Sequence, residues 1–249
     1  MPQVIAIIPS RLQSSRIPQK PLVEIAGLPM IVHVLRRALL SPVLDGVWVA
    51  TDSEKVKTVV QAAGGKAILT SSEHKNGTER LAEVAESIEA EYVILVNGDE
   101  ALLNPDHIKT SYETLLDSDA HASLLVSPFY ETESPSDFKV VLNRKNEVMY
   151  ISRGDIPSSA RNPVPQRLKA YHIMTFRREF LALYAGLERA PLESLEDHEH
   201  LRILENGFKI IASRVDSTAI SVDTPNDLAY ARNTMPNDPI FQTYKDLAL

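Results

Sequence analysis

The chain has 249 residues, 44% of them hydrophobic and 24% charged, with a formal net charge of −7 and no cysteine. That length supplies one large domain or two small ones, and the apolar share supports a sizeable core. The acidic balance excludes a generally basic, nucleic-acid-coating surface, and the missing thiols exclude disulfides, thiolate nucleophiles and zinc–sulfur sites.

The opening Met-Pro-Gln-Val-Ile lacks the basic n-region of a signal peptide, and no stretch approaches the roughly 18 apolar residues of a membrane span. The expectation is a soluble, cytoplasmic protein with neither membrane nor nucleic acid as partner.

In chain order, short β-branched runs at 4–8, 47–50, 66–69, 92–96 and 122–126 read as buried parallel strands. Helical patterns at 30–40, 54–63, 78–88 and 105–116 alternate with them; Ile31/Leu35 and Leu81/Val84/Ala85/Ile88 form apolar stripes. This alternation predicts an α/β fold with a doubly wound, mostly parallel sheet. Residues 138–142 and 148–152 predict two strands around a polar turn, followed by an exposed loop at 157–167 and a strand at 168–176. Helices at 177–187 and 192–205, a strand at 209–213 and a helix opening at Thr224-Pro225 complete the pattern. The whole chain, 1–249, reads as one domain, with 128–176 a small inserted β-rich arm for dimerisation or substrate contact.

Ligands of open α/β sheets bind at the carboxyl ends of strands, so four strand-end loops carry the functional reading. After the first strand, residues 9–22 hold Arg11, Arg16 and Lys20 with Ser10, Ser14 and Ser15, and no glycine. Forked guanidinium donors, an ammonium and hydroxyls suit a polyphosphate held by side-chain charge, but a solvated basic loop has the same composition. Asn76 with Glu79 fits a capping box; the same helix start, with Arg80, can also face an anion. Asn97-Gly98-Asp99-Glu100 follows a strongly apolar strand, where Asp99 is either a magnesium ligand or a turn residue. Thr224, Pro225 and Asp227 read as a helix cap, which leaves Asp223 as a second metal ligand or a turn acid.

The order of these segments resembles the family of 3-deoxy-manno-octulosonate cytidylyltransferases (CMP-Kdo synthetases) over about residues 4–231. The resemblance is carried by Ile8-Pro9-Ser10-Arg11, by Ser14-Ser15-Arg16-Ile17-Pro18-Gln19-Lys20-Pro21-Leu22 and by Gly27-Leu28-Pro29-Met30-Ile31-Val32-His33-Val34. Val49-Ala50-Thr51-Asp52, Gly77-Thr78-Glu79-Arg80, Lys139-Val140-Val141, Ser152-Arg153, Pro191-Leu192-Glu193 and Val222-Asp223-Thr224-Pro225 add to it.

The resemblance implies a nucleotide-diphospho-sugar transferase-like fold, a homodimer, and a place in lipopolysaccharide biosynthesis. It implies transfer of CMP from CTP to a small acidic acceptor, 3-deoxy-manno-octulosonate or a close analogue, with Mg2+ as cofactor. Lys20, Arg11 and Asp99 would carry catalysis. Ser10, Arg11, Ser14, Ser15, Lys20, Arg80 and Asn97 would bind the nucleotide, and Asp99 and Asp223 the metal. Arg153, His172, Glu199 and His200 would lie towards the acceptor, although both histidines also read as packed or surface residues.

Gln19 departs from the family's glycine, Asn97 from its glutamine and Ala101 from its proline. The acceptor-side segments 170–176 and 198–202 are rewritten more heavily, which keeps a different acidic acceptor, such as a phosphonate, open as an alternative. A non-catalytic nucleotide-binding protein is a third reading, opposed by the retained Arg11, Lys20, Asp99 and Asp223.

Overall fold

A computed structural model describes residues 3–14, 16–216 and 220–247. The chain forms two compact units, Met1–Lys109 with Thr218–Leu249, and Thr110–Ser217.

The first unit opens with β1 (Val4–Ser10), the two-residue strands β2 (Glu24–Ile25) and β3 (Leu28–Pro29), and α1 (Met30–Leu39). It continues through β4 (Gly46–Thr51), α2 (Glu54–Ala62), β5 (Lys66–Leu69), α3 (Gly77–Ser87) and β6 (Tyr92–Val96). Strands β6, β1, β4 and β5 lie in that order, all parallel, with Val4 opposite Tyr92 and Ile5 opposite Gly46. Ile5, Ile7 and Ile8 of β1 are fully buried and every residue of β6 is buried, which is what a strand covered on both faces requires. The expected buried strand at 66–69 is corrected: Lys66 and Leu69 are exposed because β5 is an edge, with one side unpaired by this sheet. Helix α1 is buried nearly all round, including His33 and Arg37.

Helix α4 (Pro105–Leu116) carries the chain into the second unit, which holds β7 (Ala122–Phe129), β8 (Lys139–Leu142), β9 (Val148–Ser152) and β10 (Arg167–Arg177). Helices α5 (Arg178–Ala185), α6 (Pro191–Glu196) and α7 (Leu201–Glu205) and strand β11 (Ile210–Arg214) follow. Strand β7 runs parallel to β11 but antiparallel to β10, so it is not the purely parallel strand its sequence predicts. The segment 128–176 lies within this unit and supplies β8, β9 and most of β10. One long helix over 192–205 is also corrected. Asp197 caps α6 in the left-handed conformation (φ 49°), which turns the chain out of helix before α7 begins.

The chain returns to the first unit with α8 (Pro225–Thr234) and α9 (Pro239–Gln242). Among the described residues, no helix is long and apolar enough to cross a membrane.

Candidate active site

Parallel pairing of β1 with β6 sends the loops beyond both strands off the same sheet edge. Gly98 makes their closeness possible: a Cβ there would stand 2.7 Å from the Pro9 carbonyl oxygen. A third segment is stitched to the β6 loop from far along the chain. The Val222 amide donates to the Asp99 carbonyl at 3.0 Å, and the Ser221 hydroxyl donates to the Glu100 carboxylate.

These backbones bring the two aspartates onto one cation. Lys20 Nζ lies 2.8 Å from Asp99 Oδ2 and 2.8 Å from Asp223 Oδ1, and Arg16 adds a 3.1 Å contact to Asp223. Burial alone would depress the Lys20 ammonium. The Asp99 charge and the hydrogen bonds to Asp223 and Asp99 outweigh it, and its pKa stands above the ordinary lysine value. The Lys20 turn is a 3-10 helix entered through Gln19 in the left-handed region (φ 49°, ψ 41°), the position where the family pattern has glycine.

A cleft of about 340 Å³ opens here, lined by Arg11, Ser14, Arg16, Lys20, Asp99 and Asp223 among others. A second cavity of about 220 Å³ shares Ser10, Arg11 and Asp99 and adds Asn76, Arg80 and Asn97. Ser10 closes β1 as its last residue, and its hydroxyl is buried without a hydrogen-bond partner among the described residues. Arg11 donates to the His74 carbonyl, and Ser14 Oγ accepts from the Ile17 amide at 3.4 Å. Arg80 is fully buried, donates to Thr70 and pairs with Asp52 at 3.2 Å; burial lowers its pKa against the pull of Asp52. Asn76 caps α3 through the Glu79 amide, and Thr224 caps α8 through that of Asp227, as their spacing predicts. Ser15 lies outside the described residues.

The four residues expected near the acceptor belong to the second unit. The Arg153 guanidinium donates to the Glu196 carbonyl at 2.9 Å and the Pro135 carbonyl at 2.8 Å, and covers the Phe138 ring at 4.2 Å. Glu199 is half-buried, with Oε1 3.5 Å from His200 Nε2. His200 is buried beside His198 (ring centroids 4.8 Å apart), and neither of its ring nitrogens makes a hydrogen bond among the described residues. His172 sits on β10, and its side chain lies outside the described set.

Sequence reasoning read Arg16 as one of the cations facing a polyphosphate but did not foresee its pairing with Asp223, and it missed the bond between Ser221 and Glu100. Both link segments that local sequence cannot relate: Arg16 and Asp223 are 207 residues apart, and Glu100 and Ser221 are 121 apart.

Cytidylyltransferases as a class generally use a divalent metal ion. The donor set fits one. Asp99 and Asp223 are hard oxygen ligands, and Asp99 Oδ1 is buried with no hydrogen-bond partner among the described residues, an acceptor to which a cation can bind. Among the described residues no group of three or more His, Cys, Asp or Glu could hold a metal, so the remaining ligands would have to come from phosphate oxygens and water.

Strand-end loops that gather cations and carboxylates round a phosphate-sized cleft are the working parts of a nucleotidyltransferase, and the chain is an enzyme of that class. The family model for cytidylyltransferases matches residues 5–217. Over 245 residues the chain is 38% identical to 3-deoxy-manno-octulosonate cytidylyltransferase of Escherichia coli, with 96% of this chain and 98% of that protein covered. The Geobacter metallireducens enzyme of that name is 38% identical over 241 residues, covering 91% of this chain and 95% of that one. The solved structure of CMP:2-keto-3-deoxy-manno-octonic acid synthetase complexed with CTP superposes with a TM-score of 0.90 at 37% identity, covering 94% of this chain and 99% of that one. The chain belongs to the 3-deoxy-manno-octulosonate cytidylyltransferase family.

Proposed function

We propose that the enzyme transfers CMP from CTP to 3-deoxy-manno-octulosonate and releases pyrophosphate, and that its metal ion is Mg2+. The observation that carries this reading is the meeting of Lys20, Asp99 and Asp223 at one point of the cleft. CTP is the ligand printed for the solved relative, and the octulosonate is the acceptor in the names of the curated relatives. The phosphonate alternative finds no support among these relatives.

In this reading an acceptor oxygen attacks the α-phosphorus in line. The new P–O bond forms as the bond to the bridging α,β-oxygen breaks, and the bridging oxygen leaves with pyrophosphate. Little covalent chemistry is asked of the chain, so its contribution is positioning and charge. Arg11, Arg16 and Lys20 would face the triphosphate, with Ser10, Ser14 and Ser15 completing its shell. Asp99 and Asp223 would hold the metal, which when bound supplies neutralisation of phosphate charge. Arg80 and Asn97 would serve the nucleotide from the smaller cavity, and Arg153, His172, Glu199 and His200 the acceptor. A homodimer in the cytoplasm, with the arm at 128–176 as its contact, belongs to the same proposal.

Pyrophosphate release with CTP, Mg2+ and the octulosonate tests it. Turnover that needs all three is expected. Turnover with a phosphonate but none with the octulosonate would overturn the acceptor assignment, and no CTP binding would overturn the enzyme.

A further inference from the structure

The residues that meet in the cleft sit on three segments, and each segment is tied from behind to one buried polar cluster. Tyr244 is the centre of it. His33 Nε2 faces the Ile25 carbonyl at 2.7 Å, an oxygen that can only accept, so the proton of the neutral ring sits on Nε2. His33 Nδ1 then accepts from the Tyr244 hydroxyl at 2.9 Å, and that oxygen in turn accepts from Arg37 Nε at 3.1 Å. Arg37 goes on to donate to the Leu103 carbonyl at 2.9 Å and to Asp238 Oδ1 at 2.6 Å. Separately, Arg232 donates to the Glu24 carbonyl at 3.0 Å.

The reach of these bonds follows the chain. Glu24 and Ile25 form β2, directly after the Lys20 turn, so both of its carbonyls are gripped. Leu103 ends the loop that carries Asp99, where its amide donates to the Glu100 carbonyl at 3.0 Å. Asp238 and Tyr244 belong to the run that begins with Asp223. His33, Arg37 and Tyr244 are buried, and the rings of Phe241 and Tyr244 pack on His33 at 5.5 and 5.8 Å, so water does not compete for these bonds. Burial pushes the Tyr244 phenol up to about 12 and His33 down to about 4, in keeping with a neutral relay at physiological pH. Residues 232–244 also lie beyond the stretch 5–217 matched by the family model.

We propose that Tyr244, with His33 and Arg37, acts as a set of positioning residues that holds the Lys20, Asp99 and Asp223 segments in register for the metal-bound triphosphate. The inference rests on the proposed function. Tyr244→Phe is the sparing probe, because it keeps the ring and removes only the hydroxyl shared by His33 and Arg37. Calorimetric titration with CTP and Mg2+ reads nucleotide binding without any acceptor, and thermal unfolding reads the fold. The variant should bind CTP about tenfold more weakly, as expected for a buried hydrogen-bond hub left unpaired. At saturating CTP its KM for the acceptor should be unchanged.

A double-mutant cycle with Lys20→Met separates positioning from general softening. Because Tyr244 acts in part through the Lys20 turn, Tyr244→Phe should cost clearly less CTP affinity once Lys20 is gone than it does in the wild type. Wild-type affinity in Tyr244→Phe, or full additivity with Lys20→Met, would overturn the inference. Failure of the wild type itself to bind CTP would instead strike the proposed function.

Discussion

Asp99→Asn separates chemistry from folding most cleanly. The substitution keeps the shape of the side chain and removes one of the two negative charges 2.8 Å from Lys20 Nζ. At an effective dielectric of about 20, the lost attraction is about 6 kcal/mol before solvation is counted. Against it stands the cost of holding a charged carboxylate partly out of water, which a neutral amide does not carry. Lys20 also retains its 2.8 Å contact with Asp223, so with the desolvation cost removed the net change in stability should be about 1 kcal/mol. For a chain of this size that moves the unfolding midpoint by about 2–4 °C. Turnover should fall far more, by about 10²–10³-fold at saturating CTP and Mg2+, because one of the two carboxylates that would hold the metal has become a weaker, neutral ligand. Pyrophosphate release and a thermal melt on the same preparation measure both effects. A rate within a factor of a few of wild type would refute the metal role, and a melt lowered by 10 °C or more would show that Asp99 is needed for folding.

Glu199→Gln should raise the acceptor KM about tenfold and leave CTP binding unchanged; equal loss of both in steady-state kinetics would remove Glu199 from the acceptor side. Gln19→Gly should stabilise slightly. A non-glycine residue in the left-handed region costs about 1–2 kcal/mol, and glycine's freedom in the unfolded chain cancels about 0.5–1 kcal/mol of that gain. A melt raised by about 1–2 °C with unchanged turnover is the expected result. His33 predicts an acid limb in stability. Burial holds its folded-state pKa at about 4, so below the ordinary 6.5 the unfolded chain takes up a proton that the folded chain does not. Stability is therefore unaffected above pH 6.5 and lost as pH falls towards 4, by about 3 kcal/mol in all. Urea titrations across that window should show this limb in the wild type and a shallower one in His33→Gln.

Features fixed by neighbours in sequence were legible before any coordinates. The β-branched runs became β1, β4 and β6, and Asn76 and Thr224 cap helices at the spacing their side chains allow. The loops bearing Lys20, Asp99 and Asp223 could be picked out as charged strand ends, but only as candidates, since a turn acid and a metal ligand look alike in sequence. What the sequence could not supply is their convergence. Bonds such as those of Lys20 with Asp223 and of Arg37 with Asp238 span about 200 residues and leave no local periodicity. The break between α6 and α7 was missed for another reason: Asp197 adopts a backbone conformation that Asp tolerates but does not advertise. The exposure of β5 depends on its place in the strand order, which composition does not encode.

The close passage of Gly98 beneath the Pro9 carbonyl sets a tolerance for the whole site. Any side chain at that position must wedge apart the ends of two neighbouring strands, one leading to the cationic turn and the other to Asp99. The distance between base and acid in this cleft is thus governed by a residue that carries neither. Redesign of the nucleotide half can exchange the charged groups one at a time, but it has to leave that missing methyl missing.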